Sequence, residues 1–226
     1  MKERIVISFS GGKDSALAMN RLIKEGKWEI DSLLTTVTDD YSRISMHGVR
    51  EEFLEKQADS LGVKLRKVRI PSICSNQLYQ QKMGEAVEQI KKEGIRYIMF
   101  GDIHLKDVKE YREKMLEGTG VTPIFPIWGE KPVDIINEYF AEGFRTRVTC
   151  VDSEQLDPMF VGREIDQDFI DEYPRSADIC GENGEYHTFV FDGPIFTYPI
   201  EHTLGEKRIA DERFYYVDIA EGRSLI

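Results

Sequence analysis

The sequence predicts an α/β fold: a parallel sheet with helices on both faces, joined to a smaller C-terminal α+β region. Three observations carry this. Short apolar, β-branched runs alternate with amphipathic helical stretches from Ile5 to Leu116. That rhythm stops at residues 121–129 (VTPIFPIWG), where two prolines and a glycine exclude a helix interior. Beyond it, the aromatic-rich runs 186–191 (YHTFVF) and 213–219 (RFYYVDI) are β-like, with Gly193-Pro194 and Gly205 as punctuation.

Taken in order, residues 5–9 (IVISF) form a buried strand that runs into Ser10-Gly11-Gly12. Ala16, Met19 and Ile23 then recur at helical spacing, with Ala18 and Leu22 widening the stripe. Residues 30–37 read as a second strand. Residues 48–61 place Phe53, Leu54, Ala58 and Leu61 on one helical face. Residues 63–68 alternate apolar with basic side chains, as expected near a sheet edge. Residues 76–93 carry Tyr79, Met83, Ala86, Val87 and Ile90 as a helical stripe. Residues 95–100 are a fourth strand ending at Gly101-Asp102, and 105–116 a further helix. Right-handed crossovers then gather the strand C-termini on one edge, where such sheets bind ligands. The proline tract sets a boundary between a first domain, 1–125, and a second, 126–226. The second begins with a helix over 132–142, stopped by Gly143, and a strand over 144–151. A helix over 163–172 ends before Pro174, and the two aromatic strands follow. There is no internal repeat and no low-complexity tract.

Apolar residues make up 41% and charged residues 31% of the 226, an ordinary globular balance. No apolar stretch is long enough to span a bilayer. In the opening MKERIVISFS the apolar run is too short for a signal-peptide core, so a cytoplasmic location is expected. The net charge of -11 is uneven: residues 1–129 hold 21 Lys+Arg against 19 Asp+Glu, and residues 130–226 hold 9 against 22. That gives no strong nucleic-acid signal. Cys74, Cys150 and Cys180 lie far apart without a C-x-x-C pair or zinc spacing, and read as free thiols. A homo-oligomer is compatible with the sequence, which does not specify one.

The chemistry concentrates in Ser10-Gly11-Gly12-Lys13-Asp14-Ser15, between a strand and a helix. Gly11 and Gly12 let phosphate oxygens approach the main chain. The amides at the following helix start point at those oxygens. Ser10 and Ser15 add hydroxyl donors, and Lys13 a point charge. Asp14 is repulsive beside phosphate unless it holds the loop or meets a cation such as Mg²⁺. The same residues also suit a plain surface turn with Ser10 as the helix cap. The run is neither G-x-x-x-x-G-K-[ST] nor G-x-G-x-x-G.

Residues 8–18 (SFSGGKDSALA) resemble the PP-loop of the ATP pyrophosphatases, S-G-G-x-D-S after a first strand. The resemblance implies a Rossmann-like sheet of the adenine nucleotide alpha hydrolase type, with ATP and Mg²⁺ as cofactors. It also implies release of pyrophosphate, with AMP left on a substrate oxygen. Four more runs resemble the diphthine–ammonia ligase type of ATP-binding domain: Ser45-Met46-His47-Gly48, Gly101-Asp102-Ile103, Pro126-Ile127-Trp128-Gly129, and residues 181–188 (GENGEYHT). This second likeness spans nearly the whole chain. It implies adenylation of a carboxylate and its amidation by ammonia. In that family the substrate is diphthine, a modified histidine on elongation factor 2. Three places depart from the pattern: Asn183-Gly184-Glu185-Tyr186-His187-Thr188 against G-G-E-[FY]-E-T, Tyr111-Arg112-Glu113 against Tyr-Gln-Arg, and Met46-His47-Gly48 against Met-Tyr. These departures resemble a bacterial sister branch, whose carboxylate substrate belongs to corrinoid metabolism. A non-catalytic adenine-nucleotide sensor, similar in fold to universal stress proteins, is the alternative outside enzymes.

With that resemblance, the nucleotide-binding set is Ser10, Gly11, Gly12, Lys13, Asp14, Ser15, His47, Gly101 and Asp102. Asp14 and Asp102 are the metal candidates. Asp102 can instead bind ribose or cap the next helix, and His47 can be an ordinary surface-loop histidine. The catalytic set is Lys13, Asp14, Glu182, Glu185 and His187. Glycines at 181 and 184 let that turn fold over a ligand, and its carboxylates can position an amine or accept its proton. The turn can equally be a solvated hairpin start. Arg145 and Arg147 share one face of a strand and can grip a carboxylate or phosphate. Cys150, on the same strand, reads as a buried thiol. Asp192-Gly193-Pro194 reads as a turn. No glutaminase signature is present, so ammonia comes from solution or from another protein.

Overall fold

The computed structural model describes residues 2–39, 48–222 and the backbone of 43–44. His47, with Ser45 and Met46, lies outside the described residues. Five parallel strands run in the order β4-β2-β1-β5-β6. They are β1 (Glu3–Ser8), β2 (Trp28–Thr38), β4 (Lys64–Ile70), β5 (Tyr97–Met99) and β6 (Thr122–Ile124). A two-residue strand, β3 (Arg43–Ile44), pairs antiparallel with the end of β2.

Strand alternation sorts the side chains onto two faces. Ile5 and Ile7 point into a core with helices α1 (Lys13–Glu25), α2 (Glu51–Leu61) and α5 (Pro132–Ala141). Val6 and Ile98 point the other way, against α3 (Asn76–Lys92) and α4 (Lys106–Leu116). A sheet buried on both faces explains why β1 reads as a continuous apolar run. Successive crossovers lead from β1 toward β2 on one side, while β5 pairs with β1 on the other. The strand order therefore reverses beside β1, which opens a crevice at the C-terminal ends of β1 and β5.

The second sheet is antiparallel in the order β8-β7-β10-β9. Its strands are β7 (Arg145–Asp152), β8 (Tyr186–Asp192), β9 (Thr203–Ala210) and β10 (Phe214–Ala220), with the short helix α6 (Gln167–Glu172) before β8. It shares the α1/α2 core: Phe189 of β8 meets Phe53 of α2 edge-on, with ring centroids 5.7 Å apart. The chain is thus α/β with a Rossmann-like parallel sheet and a smaller α+β region. Among the described residues no helix is long and apolar enough to cross a membrane.

The local reading needs four corrections. Residues 122–124, taken as part of a boundary tract, form β6; Pro123 is tolerated there because an edge strand need not donate on its outer side. Thr203–Ala210 forms a strand that the sequence pattern does not predict, because Gly205 and a polar sequence hide it; almost all of it is exposed. Helix α6 starts at Gln167 instead of 163, because Val148 N donates to Arg163 O and Ile165 N to Thr146 O, which hold that stretch extended beside β7. Asp166 then caps the helix by accepting from Phe169 N at 2.9 Å. The buried stripe of α1 passes through Leu22, while Ile23 is 44% exposed.

Candidate functional site

A cleft of about 500 Å³ opens at the crevice beside β1. The loop after β1, the loop after β5, α3, α4 and the 180–188 segment all contribute to its walls.

The loop after β1 owes its shape to its glycines. Gly11 sits at φ +77°, and a Cβ there would lie 2.7 Å from Gln57 Oε1. Gln57 is fully buried; its Nε2 donates to Gly11 O (3.0 Å) and to Val190 O (2.6 Å). Val190 N in turn donates to Gly11 O (2.9 Å), so α2 and β8 together hold the bend. Gly12 is the N-cap of α1 and offers no side-chain cap. The first-turn amides of a helix have no intrahelical acceptor, which suits this end to an anion. Two hydroxyls brace the turn. Ser10 Oγ accepts from Gly12 N (3.3 Å), and Ser15 Oγ donates to Gly12 O (3.0 Å). Lys13 N is taken by Thr188 Oγ1 of β8 (3.1 Å).

Lys13 is 2% exposed, with Nζ 2.6 Å from Asp14 Oδ1 and also bonded to the Cys180 carbonyl. Burial works hardest against its charge, but Asp14, Cys180 and Glu182 outweigh it and raise its pKa. Gly101 packs on the same turn: a Cβ there would meet Asp14 C and Ser15 N at 3.0 Å. Only a residue without a side chain lets the β5 loop come so close to the helix start.

Asp102 and Glu182 supply the remaining cleft carboxylates. Asp102 is held above its ordinary pKa by burial, against Arg112 and with Asp14. Its Oδ2 has no hydrogen-bond partner; Arg112 Nε, at 3.8 Å, has none either. Glu182 accepts from Ile103 N (2.8 Å). Burial, with Asp14 and Asp102 nearby, pushes its carboxyl up to about 7.

Most of the residues singled out in the sequence come together here. Ser10, Lys13, Asp14, Ser15, Gly101, Asp102, Glu182 and His187 all line the cleft. Gly11 and Gly12 form the bend behind it. Glu185 is placed elsewhere: it is 2% exposed and accepts from Asp178 N, Asn183 N and Asn183 Nδ2, each at 3.0 Å. It ties the turn together from beneath. Gly181, at φ +69°, packs its Cα against the Tyr186 ring, where a Cβ would stand at 2.8 Å. Arg145 and Arg147 do not line the cleft; both pair with Glu164, and both lie over the Phe191 ring. Cys150 is a buried free thiol raised to about 11 by burial. Asp192 Oδ1 accepts from Gly193 N, as a turn requires.

Sequence reasoning missed Arg112, Tyr79 and Thr188 as cleft residues. Thr188 had a signal, since it ends the run that contains Glu182 and His187. Arg112 had none beyond its place in the Tyr111-Arg112-Glu113 departure, because charged residues abound on α4. The arrangement as a whole combines an uncapped helix start, a buried lysine, three carboxylates and an apolar wall that includes Leu34, Met83 and Phe100. It can hold a polyanion joined to a flat apolar group, and move a proton through a carboxylate poised near neutrality.

Comparison with known proteins agrees with this architecture. The diphthamide synthase N-terminal domain matches residues 2–123, and the diphthamide synthase C-terminal domain matches residues 131–225. The chain is 27% identical to the diphthine–ammonia ligase of Rattus norvegicus and 26% identical to that of Homo sapiens, over 85% of this chain and 80% of each relative. The Danio rerio diphthine–ammonia ligase is 24% identical over 85% of this chain and 84% of its own. With one domain or the other matched along almost its entire length, the chain belongs to the diphthamide synthase family.

Proposed function

We propose that this chain is an ATP-dependent ligase that forms AMP and pyrophosphate, adenylating a substrate carboxylate and then amidating it with ammonia. The observation that carries the reading is the single cleft in which the uncapped start of α1 and Lys13 face Asp102 and Glu182.

The nucleotide lies with its β- and γ-phosphates on Lys13 and on the amides within 11–15 other than Gly12 N and Lys13 N, which Ser10 Oγ and Thr188 Oγ1 take, and its base against the apolar wall. Mg²⁺ fits this donor set. No group of three or more His, Cys, Asp or Glu capable of holding a metal exists among the described residues. Mg²⁺ needs only one or two carboxylates when phosphates and water complete its shell. Asp14 and Asp102 are those carboxylates, and the buried, unpartnered Asp102 Oδ2 is the stronger sign. When bound, the ion neutralises charge on the departing pyrophosphate.

A carboxylate oxygen of the acceptor attacks the α-phosphorus, and the bond from that phosphorus to the pyrophosphate oxygen breaks. Ammonia then adds to the acyl carbon, AMP leaves, and the surplus proton of the nitrogen passes to Glu182. Glu182 suits that step because burial lifts its affinity for a proton while Ile103 N keeps its orientation. His187 lines the same wall and positions the incoming amine. Residues 1–125 hold the nucleotide, and 126–226 supply the wall that presents the acceptor.

The acceptor is a carboxylate on a small molecule or on a modified residue. The relatives' names support diphthine on elongation factor 2, and the departures around His187 support a different carboxylate, with corrinoid precursors as the first class to try. The test incubates the protein with labelled ATP, Mg²⁺, ammonium and each acceptor. AMP and pyrophosphate appearing only with a competent acceptor is the expected outcome. ADP and phosphate would sink the mechanism, and saturable ATP binding without turnover on any acceptor would favour a nucleotide sensor.

A further inference from the structure

The proposed reaction divides ATP between its α- and β-phosphates, so the cleft has to hold two anions that part company. The start of α1 and Lys13 serve the pyrophosphate end. Lys13 is already committed there by Asp14 and the Cys180 carbonyl. The α-phosphoryl group stays with the nucleoside through the adenylate stage and needs a countercharge of its own.

Among the described residues lining the cleft, Lys13 and Arg112 are the permanent cations, against the carboxylates of Asp14, Asp102 and Glu182. Arg112 projects from α4, beyond the β5 loop. Its guanidinium carbon lies 5.1 Å from the centre of the Phe100 ring, within cation–π range. Its nearest carboxylate oxygen, Asp102 Oδ2, is 3.8 Å away, too far for a hydrogen bond. Both atoms are buried and unpartnered. Buried polar atoms are rarely left so, because each costs stability, and in a cleft a ligand is the usual completion. A planar fork of donors matches two oxygens of one phosphoryl group, which the single ammonium of Lys13 cannot do.

We propose that Arg112 is the second anion grip of this cleft, binding the α-phosphoryl group that remains with the nucleoside when pyrophosphate leaves. The inference rests on the ATP-ligase reading above and adds to it a residue that belongs to the AMP half of the nucleotide. It separates the roles of the two cations: Lys13 for the leaving group, Arg112 for the group retained.

The test is calorimetric titration of the full chain with adenosine, AMP and ATP, for wild type, Arg112→Gln and Arg112→Lys. AMP binding should weaken roughly tenfold or more in Arg112→Gln, the size of a lost charged hydrogen bond, while adenosine stays within about twofold. Arg112→Lys keeps the charge and loses the fork, so AMP should fall between the two. If Arg112→Gln does not fold, as judged by its melting curve, the Lys variant alone decides: AMP weakened with adenosine unchanged supports the assignment. Equal losses for adenosine and AMP would mean a structural role and overturn it. Unchanged AMP binding with a raised acceptor KM would hand the fork to the acceptor carboxylate, and also overturn it. Wild-type protein that binds none of the three would sink the ATP reading together with this one; wild-type binding with failed Arg112 arms sinks this one alone.

Discussion

Glu182 and Glu185 stand three residues apart in one glycine-rich turn, yet the fold gives them opposite situations. Glu185 is buried under three donors and keeps the turn closed. Glu182 faces the cleft with its carboxyl pushed up to about 7 by burial and by its acidic neighbours. Two outcomes follow for Glu182→Gln. Turnover should fall about 10²–10⁴-fold with ATP affinity nearly kept, and the rise in wild-type rate as pH climbs through 7 should vanish from the variant's profile. Stability should move the other way. A carboxyl whose folded pKa is raised stabilises the fold at low pH, and that contribution is lost as pH rises from about 4.5 to about 7. Glu182→Gln should therefore melt higher than wild type at pH 8, with the advantage gone at pH 4; an identical difference at both pH values would refute the assignment of Glu182 as a carboxyl protonated near neutrality. Gly11 supplies a second residue-scale case. Gly11→Ala forces a left-handed alanine against Gln57, so a loss of about 1–2 kcal/mol from the backbone alone is expected in urea titrations.

Elements meet at the bend after β1, where α1, α2 and β8 are fastened to one another. Gln57 of α2 is the fastener, since its amide nitrogen serves both Gly11 O and Val190 O. Gln57→Leu keeps the volume and takes that donor from Val190 O, while Gly11 O keeps Val190 N. The expected cost is roughly 1–3 kcal/mol, together with weaker ATP binding, because the loop proposed to hold the phosphates loses one of its supports. ATP affinity unchanged alongside lost stability would show that the loop holds its shape without α2. Gly101 acts between β5 and α1 in a similar way. A methyl there must push the first turn of α1 by a few tenths of an ångström, so Gly101→Ala should raise the KM for ATP more than it lowers the melting temperature.

At the scale of the whole molecule, one apolar core runs from the parallel sheet's α1/α2 face into the antiparallel sheet. Residues 126–226 are therefore expected to unfold with the first half and not after it. Urea transitions followed by Trp28 and Trp128 fluorescence and by far-ultraviolet circular dichroism should coincide. Phe189→Ala removes the ring that β8 lays against Phe53 and should cost about 3–5 kcal/mol. Two separated transitions in the wild type would show that the halves are independent. The cleft takes both of its permanent cations, Lys13 and Arg112, from the first half, and its acids from both halves.

Much of this was legible in the sequence, because it is encoded over short distances. A strand, a glycine bend and a helix start are fixed by side-chain period and turn chemistry within residues 5–23, and the parallel sheet follows from repeating that rhythm. The loop proposed to hold the phosphates is legible for the same reason. Where it failed, at β6 and β9, the pairing depends on a distant strand that no local pattern announces. Only the tertiary structure could choose between Glu182 and Glu185, since Ile103 N, which orients Glu182, comes from the loop after β5. It alone took Arg145 and Arg147 to Glu164 and brought Arg112 beside Asp102. The physical reason is one of range: periodicity and φ preferences act between neighbours along the chain, whereas burial, ion pairing and orphaned polar atoms depend on which far segments the core draws together.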